Sequence, residues 1–389
     1  MGQHALNIDS SVSELFVVSK LFGLMPIEKQ KNSQVYTHSF FCIIYGIIVS
    51  TILFFGFLYL GEDVMIQYDS NTVSDASGWL DLYSGTVTQT LGMIMNCINA
   101  KKLALFFNKI VRIDKQFDLL QKQIDHTQVH VFIRAAFGIV AAEFCITLIP
   151  EYFLFIKDES ILYLFCSYFP ILTTGLLKVQ FTTCVYIILQ RTKNVEVVLE
   201  GIEKSASMRK IVVLKTSNDC FVSRVELLHG IQNDLCKLCQ IINEIYGLQN
   251  FLIVLSTFAI CITEIYFCYS EGLNSENFAS VYFSLQWAFL QLVEMILLAF
   301  FCDSVTTQFN SLKYVISRLQ LNSKNEQLNF VLKVFSLHEL HRRVQFMVCG
   351  LFAFDFGMIQ MLCGMISTYL IIMIQLDIAT FQTKSSEHH

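Results

Sequence analysis

Stretches of about 20 mostly apolar residues, the length of helix that crosses the hydrocarbon core of a bilayer, recur seven times in this chain. They fall near 39–60, 79–99, 131–156, 161–190, 248–269, 280–302 and 346–376. The composition fits that solvent: of 389 residues, 54% are hydrophobic and 15% charged, where a soluble domain carries about 25% charged residues. The expected fold class is therefore an all-α membrane protein with seven transmembrane helices. The second span is the least apolar, holding Asp81, Gln89 and Asn96. The fourth and seventh are longer than a bilayer needs, so they tilt or project from it. Pro150 and Pro170 lie near the outer ends of spans three and four, where each is expected to kink its helix.

The gaps between spans alternate in charge. Twenty of the 27 Lys and Arg residues lie in 100–130, 191–247 and 303–345. Residues 61–78 hold Glu62, Asp63, Asp69 and Asp75 with no basic residue, and 270–279 hold Glu271 and Glu276. Basic loops stay on the cytoplasmic side, so the ledger puts the N-terminus inside and, with an odd number of spans, the C-terminus outside. The reading divides the chain into a cytoplasmic segment 1–38, six spans over 39–302 interrupted by a long inner loop 191–247, an inner segment 303–345, a last span 346–376 and an outer tail 377–389. Residues 1–37 lack the basic start, apolar core and small-residue cleavage site of a signal peptide. No Asn-x-Ser/Thr acceptor occurs that would mark the outer face. Cys residues, 13 in all, are scattered mostly through apolar segments and imply no disulfide framework. No basic domain suited to nucleic acid is present.

The long inner segments have helical periodicity. Phe221, Val225, Leu228, Ile231, Leu235, Leu238, Ile242 and Ile245 step by four and three, the spacing of a helix–helix seam. Thr216, Ser217, Asn218 and Asp219 offer N-caps before it. Val305, Phe309, Leu312, Val315, Ile316 and Leu319 form a second run. Two readings fit: these faces pack within their own subunit, or they build an inner bundle that joins subunits.

On the seventh span, Gly350, Gly357, Gln360, Gly364, Ser367, Thr368, Ile371 and Gln375 fall in one sector of about 100°. Leu362, Met365, Ile366, Leu370 and Met373 lie on the far face. A small and polar stripe serves close helix packing or the lining of a hydrated path. Among ionisable groups within spans, Glu143 and Lys178 lie at similar depth and are expected to pair. Glu294 and Asp355 read as contacts between helices. In the outer half of the bundle, Tyr83, Tyr168, Glu264, Gln286, Trp287 and Gln291 supply aromatic walls with a few polar groups. That mixture suits a small-molecule pocket and also the aromatic belt of a membrane interface.

Residues 368–375 read Thr-Tyr-Leu-Ile-Ile-Met-Ile-Gln. This resembles the C-terminal signature of insect gustatory receptors, in which Thr-Tyr is followed by five hydrophobic residues and Gln-Phe. Phe346, Gly350, Phe352 and Asp355 are similar to a pattern early in that family's last helix. Leu15–Pro26 is similar to its leader segment, with Phe22 where Leu is usual. The resemblance implies a ligand-gated, non-selective cation channel in the plasma membrane of a sensory neuron. It implies a homo- or heterotetramer, with the last helix of each subunit lining the pore, an inner anchor bundle, and Gln375 with Leu376 as the gate. Leu376 departs from the usual Phe but is still apolar enough for a dewetting constriction. The partners implied are a small-molecule tastant, permeant cations, related receptor subunits and the lipid bilayer. Leu370 follows Thr-Tyr where the sugar-receptor branch carries an acid, which leans toward a bitter or aversive compound.

No enzyme is expected, and no cofactor or metal is implied. His338-Glu339-Leu340-His341 is one residue short of a zinc-protease motif. Cys236 and Cys239 form a lone CxxC without a second pair. An odorant receptor subunit of the same superfamily is the nearest alternative. A G-protein-coupled receptor would need an outer N-terminus, against the charge ledger. A secondary transporter would need paired broken helices or an internal repeat.

Overall fold

The computed structural model describes residues 8–30, 35–65, 72–154, 161–208, 218–274, 278–322 and 325–387. Their elements run α1 (Ile8–Leu21), β1 (Ile27–Lys29), β2 (Tyr36–His38), α2 (Phe40–Met65), α3 (Thr72–Ile98), α4 (Ala100–Leu119), α5 (Thr127–Leu154), α6 (Ile161–Met208) and α7 (Asn218–Asn274). There follow α8 (Phe278–Asn322), α9 (Glu326–His341), β3 (Met347–Val348), β4 (Phe352–Ala353) and α10 (Phe356–Glu387). Six helices, α2, α5, α6, α7, α8 and α10, are long and apolar enough to cross a membrane. The span expected at 79–99 is the helix α3, and two of its polar residues turn inward: Gln89 and Asn96 are 0% and 1% exposed. The Asn96 amide donates to Leu24 O and to Gln180 Oε1, each at 3.1 Å.

The long inner segments are not separate domains. Helices α6, α7 and α8 continue as single rods of 48, 57 and 45 residues, well past the bilayer length. Their extensions pack with α4 and α9 at one end of the bundle, the end that gathers all three basic segments. Ion pairs knit it: Lys102 to Glu244 (2.8 Å) and Arg318 to Glu203 (2.7 Å). Every residue of the 225–245 seam is buried within the single chain, from Val225 at 0% to Ile245 at 2%. The run from Val305 to Leu319 is buried as well. The apolar faces of both seams are therefore covered within the chain, by α4, α8 and α9. Of the cap candidates, Thr216 and Ser217 lie outside the described residues, and Asn218 opens α7.

The segment 15–26 enters the helices. After α1, Gly23 takes φ +71° and lets the chain turn so that Leu24, 0% exposed, packs with Met93, Leu176 and Leu177. Leu24 O accepts from both Asn96 and Gln180. Gly46 of α2 closes over this turn, and a Cβ there would stand 2.6 Å from Gly23 O. The obstacle is backbone, which cannot rotate aside. Gly46→Ala is expected to cost about 1–3 kcal/mol by overpacking, read as a lower unfolding midpoint, whereas Gly138→Ala, with open space around it, is not.

At the basic end, Arg191 of α6 is 0% exposed. Its guanidinium donates to both oxygens of Asp114 (3.1 and 3.0 Å) and to Gln190 Oε1 (2.6 Å), and it stands 3.3 Å from His126 Nδ1. Burial first, then the Arg191 charge, hold the His126 imidazole below its ordinary 6.5, with Asp114, Asp125 and Asp118 opposing. The folded chain thus prefers neutral His126, and the unfolded chain binds more protons in the window just below pH 6.5. Stability is then expected to fall as pH drops from about 6.5 through the folded value. An unfolding midpoint measured against pH checks this, and His126→Gln should flatten that limb.

Candidate functional site

The expected last span, 346–376, is two structures. Residues 346–355 form a hairpin before the helix, not its first turns. Cys349 and Gly350 both take positive φ, 51° and 73°, and Leu351 N donates to Val348 O at 2.9 Å. The loop between the paired Val348 and Phe352 has three residues, and its first two take the left-handed region, which favours Gly. Gly350 is therefore a hairpin residue, outside the helical stripe. Phe346 and Phe354 flank the turn and bury on Phe181, with ring centroids 6.2 and 6.1 Å away. Asn243 of α7 clamps the first strand, donating to Gln345 O (2.9 Å) and accepting from Met347 N (3.1 Å). Asp355 then caps α10, its Oδ1 accepting from Met358 N at 3.1 Å, which satisfies one orphan donor of the first turn. Helix α10 runs on through most of the segment expected as an outer tail, to Glu387.

Helix α10 leans on α7 and α8 through Met358, Leu362 and Ile366, which are 2%, 0% and 6% exposed. Tyr369 meets Phe258 edge-on at 5.6 Å. The rest of the helix is uncovered: 17% of its most apolar stretch is buried within the chain, against 78% for α6. The uncovered face carries the stripe. Gln360, Ser367, Thr368, Ile371, Gln375 and Leu376 are all exposed. Ser367 and Thr368 donate their hydroxyls to Cys363 O and Gly364 O, both at 2.9 Å. All six expected pore residues are thus exposed; Gln360, Ser367, Thr368, Ile371 and Gln375 share one sector of α10, and Leu376 lies about 100° round the helix from Gln375.

The six expected pocket residues do not all meet. Gln286 of α8 donates to Ile146 O of α5 (3.1 Å), and Trp287 lies half-buried on the same turn. Gln291, 7% exposed, follows on α8. Tyr168 of α6, 5% exposed, faces Phe144 of α5 edge-on at 6.3 Å. Gln286 thus ties α8 to α5, and the Tyr168–Phe144 contact ties α6 to α5. Tyr83 instead stacks on Trp79 at 5.0 Å and meets Phe57 of α2 at 5.6 Å. Glu264 is buried on α7 at 9% exposure.

The expected Glu143–Lys178 pair is corrected too. Lys178 bridges to Glu294 of α8, and Glu143 sits beside them as a third member. Sequence depth alone could not choose between two carboxylates near one Lys, because the choice depends on which helix faces α6. Elsewhere, an open cleft of about 750 Å³ between the end of α8 and α9 is lined by Gln320, Leu321, Phe330 and Lys333, far along the chain from every expected site residue. His338 of the discounted zinc-like motif meets His229 of α7, Nδ1 to Nε2, at 2.8 Å. Among the described residues no group of three or more His, Cys, Asp or Glu could hold a metal ion.

The sequence family described as 7tm Chemosensory receptor matches residues 14–380. No curated protein matches the chain. Among solved structures, the insect olfactory receptor OR5 from Machilis hrabei superimposes with a TM-score of 0.63 at 14% identity, covering 94% of this chain and 97% of that one. The same receptor in complex with eugenol gives a TM-score of 0.64 at 12% identity, covering 95% and 98%. At those identities the likeness speaks to the fold.

Proposed function

The chain belongs to the 7tm chemosensory receptor family, whose model matches nearly its whole length; from that premise we propose that it is a gustatory receptor working as a ligand-gated, non-selective cation channel. It is a multi-pass membrane protein of a receptor family, not an enzyme. The observation that carries the channel reading is the uncovered stripe on α10, which ends in Gln375 and Leu376. A mostly apolar helix that its own subunit leaves bare needs lipid or other copies to cover it. Small and polar residues on one bare face are poor company for lipid. Four copies around an axis would turn those faces toward each other and line a hydrated path with Gln360, Ser367, Thr368, Ile371 and Gln375. Leu376 would then narrow the path by dewetting.

The gathering of the three basic segments at one end supports an inner placement of that end and of the N-terminus in the plasma membrane of a sensory neuron. The Thr368-Tyr369…Gln375 signature supports the gustatory branch, and Leu370 leans toward an aversive tastant. A ligand in the bundle opens the pore only by binding the open state better. An olfactory receptor subunit is the second reading, favoured by the structural relatives, one of them in complex with eugenol.

Whole-cell voltage clamp of a heterologous cell expressing this chain alone, with G-protein signalling blocked, tests the proposal. A fast cation current evoked from a tastant panel is the expected result. Silence at confirmed surface expression, both alone and with related subunits, would overturn it. Currents only with an olfactory co-receptor would favour the second reading.

A further inference from the structure

At the basic end of the bundle, α7 holds the chain that leads into α10 at three points. His229 Nε2 meets His338 Nδ1 of α9 at 2.8 Å. Arg342, the C-cap residue of α9, donates to Asn233 Oδ1. Asn243 then clamps Gln345 and Met347 at the start of the hairpin. Of these three holds, the imidazole pair is the one that gains charge near neutral pH.

The pair lies on the extension of α7 that precedes the apolar stretch 248–269. His338 is exposed and His229 half-buried, so protons reach both from water. The two rings are 4.9 Å apart, and Phe335 backs His229 at the same distance. A hydrogen bond between two imidazoles needs one N–H and one bare nitrogen. It survives with no extra proton or with one, whichever ring carries it. A second proton leaves two donors facing each other and two like charges in contact, and the bond is lost.

The surroundings oppose that second proton. Burial first, then His338 and Arg342, hold the His229 imidazole below its ordinary 6.5. The nearby acid of α9, Glu339, is turned inward toward Gln232 at 3% exposure, with Lys313 of α8 and Arg342 in its field. On α7 itself, Glu226 lies one turn before His229 and is exposed to solvent.

We propose that His229 and His338 are a proton-operated latch between α7 and α9, which holds while the pair carries at most one proton and lets α9 go when the second binds. The signal is acidification of the compartment that bathes the basic end. That compartment is the cytoplasm in the orientation proposed above, and the acids that reach it from outside are small, membrane-permeant weak acids. Linkage fixes the sign: the released ring takes the second proton more readily than the docked one, so docking weakens as pH falls below about 6.5. Release leaves Arg342 and Asn243 alone to tether the start of α10.

Amide hydrogen exchange in the purified full-length chain, corrected at each pH for the intrinsic rate, tests the latch. One pH unit below the ordinary imidazole value, a released ring is about ten parts charged to one neutral. Exchange in α9 is therefore expected to rise about tenfold from about pH 7.5 to about pH 5.5, while the buried stretch of α6 from Leu176 to Leu189 stays protected. His338→Gln, at an exposed position, flattens the α9 response, and so does His229→Gln. Two controls, His341→Gln on the same helix and His126→Gln, leave it intact. Exchange in α9 that ignores pH, a response that survives His338→Gln or that either control removes, or a rise shared equally by α6 would overturn the latch. None of these outcomes bears on the receptor reading, whose own test is the evoked current.

Discussion

Arg191→Ala is expected to cost about 3–5 kcal/mol, the cost of breaking a buried ion pair from one side, and to remove most of the receptor from the cell surface. The cause is local. Arg191 is fully buried, and it ties α4 through Asp114 to α6 and to the start of α5 through His126. Gln190, its neighbour, donates to Asp125 O (2.6 Å) and to Gln128 Oε1 (3.2 Å), so the same knot fixes the turn into α5. Removing only the guanidinium leaves the largely covered Asp114 carboxylate, its side chain 14% exposed, without its cation. Removing both charges, as in Arg191→Leu with Asp114→Asn, should cost clearly less than the sum of the single changes. The coupling in that double-mutant cycle, read from unfolding of the purified receptor, measures the pair. Additive effects would show that the knot is not the source of stability.

Leu376→Ser and Gln375→Ala are expected to do the opposite: large changes in current with little change in surface expression. Both side chains are exposed in the subunit, so folding has little stake in them, within roughly 0.5 kcal/mol. In the proposed channel they form the constriction. A hydroxyl in place of Leu376 wets it, and a gate free-energy change of about 1.4 kcal/mol raises current without ligand about tenfold. Gln375→Ala should alter unitary conductance or gating. Unchanged currents from both variants would remove the gate from the end of α10. Ser367→Ala is a useful control, since its hydroxyl is already satisfied by Cys363 O.

Helices were legible in the sequence because an apolar solvent demands long apolar runs, and six of the seven runs meet that demand outright. The remaining run, α3, was visible as the least apolar, and the cause emerged only with its neighbours: Asn96 is spent on Leu24 and Gln180. The stripe on α10 was legible because its residues share one helical face, and a face needs no partner to be read. The position of Gly350 was not, because a hairpin of two short strands carries no period that separates it from a helix start. The residues expected to line a pocket were legible only as a type. Which of them share a junction depends on which helices touch.

Length, apolar period and charge alternation, each a property of consecutive residues, determined the long apolar helices, their faces and the grouping of the basic segments. The tertiary structure decided the rest, because partners far apart in the chain compete for the same group. Lys178 chose Glu294 over Glu143, the seam from Val225 to Ile245 found its cover within the chain, and the motif from Phe346 to Asp355 folded as a hairpin on Asn243 and a cap for α10. In each case burial made an unpaired polar group or an uncovered apolar face too costly, and the cheapest remedy lay on a helix that the sequence alone does not place.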